Sequence, residues 1–168
     1  RVVREVGHRL AVRGLPVGVQ DRGAVLVHDD HRAEVTEILL DGPAGLGKTT
    51  LWAGAGAGTA NRGAHVVASS PTEAESGLSY SGLADLIADE LPAIRGTLSR
   101  PQARALAIAM RLEDPGEHPA DETAVARGFL AALQALARAR GKLLVAVGDF
   151  RWLALPSLSA LDYAVRAL

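Results

Sequence analysis

The chain contains no cysteine and few aromatic residues. Because none of its 168 residues is Cys, disulfide bonds, zinc-thiolate sites and cysteine nucleophiles are excluded, and a reducing cytoplasm is compatible with the sequence. Aromatic residues make up only 4% of the chain, whereas hydrophobic residues make up 48%. A chain of this length and composition can bury one sizeable core, and we expect that core to be aliphatic and rich in alanine.

The chain also lacks an excess of charge of either sign. It has 18 Lys and Arg against 19 Asp and Glu, which gives a formal net charge of -1. There is thus no excess of positive charge that would favour binding to nucleic acid or to an anionic membrane. Charged residues interrupt the apolar stretches too often for a membrane-spanning helix, and residues 1–13 contain no apolar signal-peptide segment. We therefore expect a cytoplasmic location, with no membrane contact and no direct nucleic-acid binding by this chain.

Apolar runs and helical periodicities alternate along the chain. Short strands are predicted at 24–27, 37–41, 65–69 and 142–147. Five helices are predicted. The first spans 48–60, the second runs from an N-cap at Ser79 to a stop before Pro92, and the third runs from near Pro101 to a turn at Asp114-Pro115-Gly116. The fourth runs from an N-cap at Asp121 to Gly141, and the fifth starts near Pro156. This alternation predicts an α/β fold with a parallel sheet.

A glycine-rich loop lies between the predicted strand 37–41 and the helix-length segment 48–60. It reads Gly42-Pro43-Ala44-Gly45-Leu46-Gly47-Lys48-Thr49-Thr50 and fits the P-loop pattern G-x-x-x-x-G-K-[ST]. Gly42 and Gly47 let the backbone approach a phosphate, and successive N–H groups form an anion nest at a helix N-terminus. Lys48 reaches the β- and γ-phosphates, and the Thr49 hydroxyl ligates Mg²⁺. The loop predicts binding of ATP or ADP with Mg²⁺, the alternative being a glycine-rich turn that matches by chance.

A second acidic position follows the most apolar predicted strand. P-loop ATPases need an acidic residue at the end of a neighbouring strand to hold Mg²⁺ or to position the attacking water. The run at 142–147 ends in Gly148-Asp149, which makes Asp149 the candidate catalytic residue. The alternative is an ordinary loop aspartate after a strand.

Other polar clusters give weaker signals. The run His28-Asp29-Asp30-His31 could ligate a metal, but no further His or Cys stands at ligand spacing, so a polar loop is favoured. Ser69, Ser70 and Ser76 have no surroundings typical of a nucleophile elbow. Three arginines have the spacing of a phosphotransferase lid, although solvated helix ends are the simpler interpretation: Arg95, Arg100 and Arg104.

From Thr36 onward the chain resembles the N-terminal ATPase domain of the large LuxR-type transcriptional regulators, signal-transduction ATPases related to AAA proteins. The segments that carry the resemblance are 42–52, Glu73-Ala74-Glu75-Ser76-Gly77-Leu78-Ser79-Tyr80, Leu83-Ala84-Asp85-Leu86, Leu112-Glu113-Asp114-Pro115, and 144–147 with Asp149, Trp152 and Leu153. The resemblance implies a P-loop NTPase-like three-layer sandwich with a parallel sheet, incomplete at the C-terminus. It divides the chain into a segment 1–35 of uncertain structure and a partial ATPase domain 36–168, with C-terminal regulatory and DNA-binding domains lying beyond it.

The chain departs from this family at the acidic site. Gly148 stands where the resemblance implies the Mg²⁺ aspartate, Arg151 where Gln is usual, and Ala154 where an Asp caps the next helix. We therefore expect nucleotide binding with weak or absent hydrolysis. The alternatives are a P-loop phosphotransferase acting on a small molecule and a non-functional fragment. The family fold also has a strand between the P-loop strand and the strand 142–147, and the chain ends before it. We expect that gap to be filled by the run 24–27, by self-association with a second copy, or by closure of the two strands.

Overall fold

A computed structural model describes residues 22–29, 34–41, 65–117 and 119–167 of the chain. The described strands form one four-stranded sheet. They are β1 (Arg22–Asp29), β2 (Glu34–Asp41), β3 (His65–Ser69) and β4 (Leu143–Val147), arranged in the order β2-β1-β4-β3. The predicted strands are all present, and β1 and β2 extend beyond their predicted bounds. β1 includes His28 and Asp29, so the expected polar loop is wrong for these two residues.

The sheet is mixed, because β1 runs opposite to the other three strands. β1 pairs antiparallel with β2 from Arg22↔Asp41 to Asp29↔Glu34, and antiparallel with β4 from Ala24↔Val147 to His28↔Leu143. β3 and β4 pair in parallel. The N-terminal strand β1 thus lies between β2, which precedes the predicted P-loop, and β4, and this is the first of the three expected ways to fill the gap. The segment 1–35 therefore contributes a strand to the same sheet as the segment that follows it.

Five α-helices occur in the described part of the chain. They are α1 (Ser81–Ile87), α2 (Leu91–Ile94), α3 (Arg100–Ala109), α4 (Glu122–Arg140) and α5 (Leu155–Ala167), with 3-10 turns at Glu73–Glu75, Arg95–Thr97 and Phe150–Trp152. The bounds of α4 confirm the prediction. The Asp121 side chain accepts a hydrogen bond from the Ala124 N–H, and Gly141 ends the helix with φ 81°, a left-handed conformation that suits glycine. The predicted helix at 48–60 lies outside the described residues.

The helix predicted from Ser79 to Pro92 is wrong in both its start and its end. Its N-cap is Tyr80, in a left-handed conformation with φ 64°, and α1 ends at Ile87. Pro92 lies in the first turn of the separate helix α2. The missing N–H of proline is harmless there, because first-turn N–H groups have no intrahelical acceptor. Proline therefore opens a helix here instead of stopping one.

The core lies between the sheet and the helices, with α4 at its centre. Val125, Phe129, Leu133 and Leu136 of α4 are almost wholly buried, as their helical spacing predicts. Leu143, Val145 and Val147 of β4 belong to the same cluster of buried residues. Leu144 and Ala146, which alternate with them and so lie on the opposite face of the strand, are equally buried. Both faces of β4 are therefore covered, as expected for a strand inside an α/β sheet.

None of the helices in the four described ranges is both long and apolar enough to cross a membrane.

Candidate site at the carboxyl edge of the sheet

The strands β2, β3 and β4 end at the same edge of the sheet. Ala24 of β1 pairs with Leu39 on one side and with Val147 on the other, so these two residues lie at the same height. Ser69, the last residue of β3, also pairs with Val147. Chain segments that follow the parallel-running strands therefore leave the sheet side by side, which is the edge where open α/β sheets bind ligands. We call this region, formed by residues 69, 70, 148 and 149, the carboxyl-edge site.

Ser69 fixes the backbone of the carboxyl-edge site. Its side chain is buried, with 2% of the residue exposed, and its hydroxyl donates a 2.9 Å hydrogen bond to Oδ2 of Asp85 in α1. Its carbonyl oxygen accepts a 2.9 Å hydrogen bond from the Gly148 N–H, one residue beyond the end of β4. A buried hydroxyl needs such a partner, because an unsatisfied one costs about 1–3 kcal/mol. Ser69 therefore holds both α1 and the start of the 148–149 segment to the end of β3.

Glycine at position 82 lets α1 approach the chain that follows the site. A Cβ atom added to Gly82 would overlap Cδ1 of Leu153 and would lie 3.5 Å from the Ser69 hydroxyl. Both Gly82 and Leu153 are buried. The close contact, together with the Ser69–Asp85 hydrogen bond, packs α1 against Ser69 within the site and against Leu153 beyond it, so we expect the site backbone to be well fixed.

Asp149 turns the chain away from the sheet. Its φ of 40° lies in the left-handed region, which non-glycine residues adopt at a cost and which is often found at functional sites. Its carbonyl oxygen accepts a 3.0 Å hydrogen bond from the Trp152 N–H, and the Arg151 guanidinium lies 4.9 Å from the centroid of the Trp152 ring, within cation–π range. Asp149 itself is exposed to solvent. The predicted catalytic carboxylate therefore lies at the carboxyl edge, where a ligand can reach it.

The predicted phosphate-binding residues lie outside the described part of the structure. These are Gly42, Pro43, Ala44, Gly45, Leu46, Gly47, Lys48, Thr49 and Thr50. Their attachment point is described, because Asp41 is the last residue of β2. Asp41 is two positions beyond Leu39, just as Asp149 is two positions beyond Val147. One strand separates β2 from β4, which corresponds to roughly 10 Å across the sheet.

The side chains of the carboxyl-edge site offer only oxygen donors. Ser70 supplies a hydroxyl and Asp149 a carboxylate, and both residues are exposed. Such hard donors suit Mg²⁺, which is usually held by one or two carboxylates together with substrate phosphates and waters. Within the described residues no group of three or more His, Cys, Asp or Glu side chains is arranged to hold a metal ion. The donor set thus fits a magnesium ion that is bound together with a phosphate ligand.

Two of the three arginines considered as a phosphotransferase lid bind a carboxylate of their own chain. Arg95 and Arg104 lie 3.5 and 3.4 Å from the two carboxylate oxygens of Glu113. These ion pairs are largely exposed and therefore weak. They nevertheless place both arginines beside the turn that follows α3, instead of at the carboxyl-edge site.

Two surface clefts lie near the same turn. One of about 590 Å³ is lined by Ile108, Arg111, Leu112, Glu113, Asp114 and Pro115. A smaller one of about 100 Å³ lies between the start of α1 and the end of α3. Neither cleft includes Ser70, Gly148 or Asp149, so neither enlarges the carboxyl-edge site.

Sequence reasoning missed the roles of Ser69 and Ser70 in the site and of Asp85, the hydrogen-bond partner of Ser69. The sequence suggests the two serines only as weak nucleophile candidates, and Asp85 only as part of the family resemblance. The available signal was the position of the two serines at the end of a predicted strand, since the carboxyl ends of parallel strands share one edge. The pairing of Ser69 with Asp85 depends on how α1 packs, for which the local sequence gives no signal.

Compared with protein-family models, curated proteins and solved structures, the chain matches none of them.

Proposed function

We propose that this chain is the ATP-binding module of a cytoplasmic LuxR-type regulator, with a P-loop NTPase-like three-layer fold, and that it hydrolyses ATP slowly or not at all. The observation that carries the proposal is the placement of β2 and β4. The strand that leads into the P-loop sequence ends at the same edge of the sheet as the strand that leads into Gly148-Asp149. A phosphate-binding loop after β2 would then share one edge of the sheet with the acidic residue after β4, and P-loop ATPases combine these two elements.

Each part of the site has a defined role in this proposal. The backbone N–H groups of 42–49 surround the phosphates, and Lys48 pairs with the β- and γ-phosphate oxygens. Magnesium, when bound, neutralises charge on these phosphates. The Thr49 hydroxyl supplies an oxygen ligand to it, and Asp149 orients water at the edge of the site. Gly148 supplies no side-chain oxygen, which is why we expect hydrolysis to be slow.

A titration of the purified chain with fluorescent ATP and ADP tests the proposal. Lys48→Ala removes a charge-assisted phosphate contact worth about 1.5–3 kcal/mol, so we expect affinity to fall roughly 10- to 150-fold. Lys142→Ala is a matched control, because Lys142 is the only other lysine in the sequence and precedes β4 at the opposite edge of the sheet. It makes the same change of charge far from the proposed phosphate site.

The expected pattern is equal affinity for the unsubstituted chain and Lys142→Ala, with a large loss for Lys48→Ala. An absence of nucleotide binding by the unsubstituted chain, or equal binding by all three proteins, would show that the P-loop sequence does not hold nucleotide here.

A further inference from the structure

Ser70 lies beside the position of the side chain that Gly148 lacks. A Cβ atom added at 148 would lie 3.7 Å from the Ser70 Oγ and 3.9 Å from the Ser69 carbonyl oxygen. These are ordinary van der Waals distances, so none of the described residues blocks the space beside Gly148, and a hydroxyl lies on its border. The family resemblance places a magnesium-binding aspartate at this position. The chain therefore has an oxygen atom from β3 next to the place where an oxygen from β4 is missing.

The backbone that bears Ser70 is fixed by its neighbours. Ser69 is hydrogen-bonded through its side chain to Asp85 and through its carbonyl oxygen to the Gly148 N–H. The parallel register of β3 and β4 continues up to Ser69↔Val147. Ser70, the next residue, is exposed. A ligand at this edge can therefore reach its hydroxyl, which can both donate and accept hydrogen bonds.

We infer that Ser70 takes over part of the role of the missing aspartate, by hydrogen bonding to the water shell of the magnesium–nucleotide complex. This inference rests on the proposed function. A serine hydroxyl is both donor and acceptor, and Mg²⁺ keeps several of its waters when it binds with a phosphate ligand. A hydroxyl beside position 148 can accept a hydrogen bond from such a water, which a glycine cannot do. Ser70 is then a positioning residue. It contacts the water bound to magnesium and makes no direct contact with the nucleotide.

The test compares nucleotide affinity with Mg²⁺ and with EDTA. The probe is fluorescent ATP and the protein is the full 168-residue chain. The readout is the dissociation constant in EDTA divided by the dissociation constant with Mg²⁺, so a larger ratio means a larger gain in affinity from magnesium. We expect Ser70→Ala to reduce this ratio roughly 2- to 12-fold, the range that one hydrogen bond contributes, and to leave affinity in EDTA unchanged. Ser70→Thr keeps the hydroxyl and should keep the ratio. Ser76→Ala is a matched control, because Ser76 is an exposed serine just after the 3-10 turn Glu73–Glu75, and its hydroxyl donates a hydrogen bond to the carbonyl oxygen of Glu73.

A double-mutant cycle with Gly148→Asp makes the test specific. If Ser70 compensates for the missing carboxylate, Ser70→Ala should have a smaller effect on the ratio in the Gly148→Asp background than in the original chain. An unchanged ratio in Ser70→Ala, or an equal loss in Ser70→Ala and Ser70→Thr, overturns the inference while leaving nucleotide binding intact. A chain that binds ATP equally well with Mg²⁺ and with EDTA also overturns it. Failure of the proposed function itself is distinguishable, because no nucleotide binding would then be measured in either condition.

Discussion

We expect the substitution of serine by alanine to have opposite effects on stability at two buried positions, 69 and 157. Ser157 of α5 is 0% exposed and Ser69 of β3 is 2% exposed. The Ser69 hydroxyl donates to Asp85, whereas the Ser157 hydroxyl has no hydrogen-bond partner within the described structure. Ser157 lies on the buried stripe of α5 with Ala160, Leu161 and Ala164, which shows that apolar side chains, alanine among them, suit this face.

The expected free energies follow from these two environments. A buried hydroxyl without a partner costs about 1–3 kcal/mol, and Ser157→Ala removes that cost. The void left by the missing oxygen atom destabilises the variant by a few tenths of a kcal/mol, at about 24 cal/mol per Å³. We therefore expect Ser157→Ala to stabilise the chain by roughly 1 kcal/mol. Ser69→Ala instead loses a hydrogen bond, while the exposed Asp85 regains water, and we expect a loss of about 0.5–1.5 kcal/mol.

Urea unfolding followed by circular dichroism and by tryptophan fluorescence measures both effects. The two variants should differ from each other by about 2 kcal/mol, or roughly 4–8 °C in Tm for a chain of this size. Coincident transitions from the two probes establish that the free energies can be compared. If Ser157→Ala destabilises the chain as much as Ser69→Ala does, the Ser157 hydroxyl has a partner and the reasoning is refuted.

Three further predictions concern hydrolysis, nucleic acid and pH. Gly148→Asp should raise the rate of ATP hydrolysis, because none of the described residues would clash with a Cβ atom at position 148. A turnover by the unsubstituted chain within the ordinary enzyme range of about 1–10³ s⁻¹ would contradict the expectation of slow hydrolysis. The chain should not shift duplex DNA, since its net charge is -1, and a salt-sensitive shift at low-micromolar concentration would show otherwise. Burial, and then the charges of Glu122 and Asp121, raise the pKa of Tyr80 above its ordinary 10.0. The neutral phenol therefore adds stability that is fully present below pH 10.0 and is lost as the pH rises through the raised pKa. Tyr80→Phe should flatten this alkaline loss in urea midpoints, and an unchanged slope would exclude Tyr80 as its source.

The boundaries of α4 could be predicted because their signals are local. Asp121 caps the first turn through its own side chain, and Gly141 adopts a left-handed conformation at the end. The prediction at Pro92 was wrong because proline is found both just after the end of a helix and in the first turn of a helix. The sequence around it does not say which applies.

The position of β1 could not be predicted in the same way. Its short apolar run identifies a strand, but its neighbours are determined by long-range pairing, which leaves no mark on the local sequence. The nearness of Ser70 to position 148 depends on the same strand order and on the β3–β4 register. The candidate aspartate could therefore be named from the sequence, whereas the hydroxyl of Ser70 beside position 148 could not.

The position of β1 between β2 and β4 also constrains the order in which the chain folds. β1 and β2 are close in sequence, so their pairing closes a short loop. Ala24 and Val147, by contrast, are 147 − 24 = 123 residues apart, and loop-closure entropy must be overcome before their contacts contribute. During synthesis the β1–β2 pair can form while β4 is still untranslated. The edge of β1 that β4 later occupies is then a row of unpaired N–H and C=O groups, which other chains can also bind. Until β4 is made, we therefore expect this edge of β1 to be open to pairing with other chains, which favours aggregation.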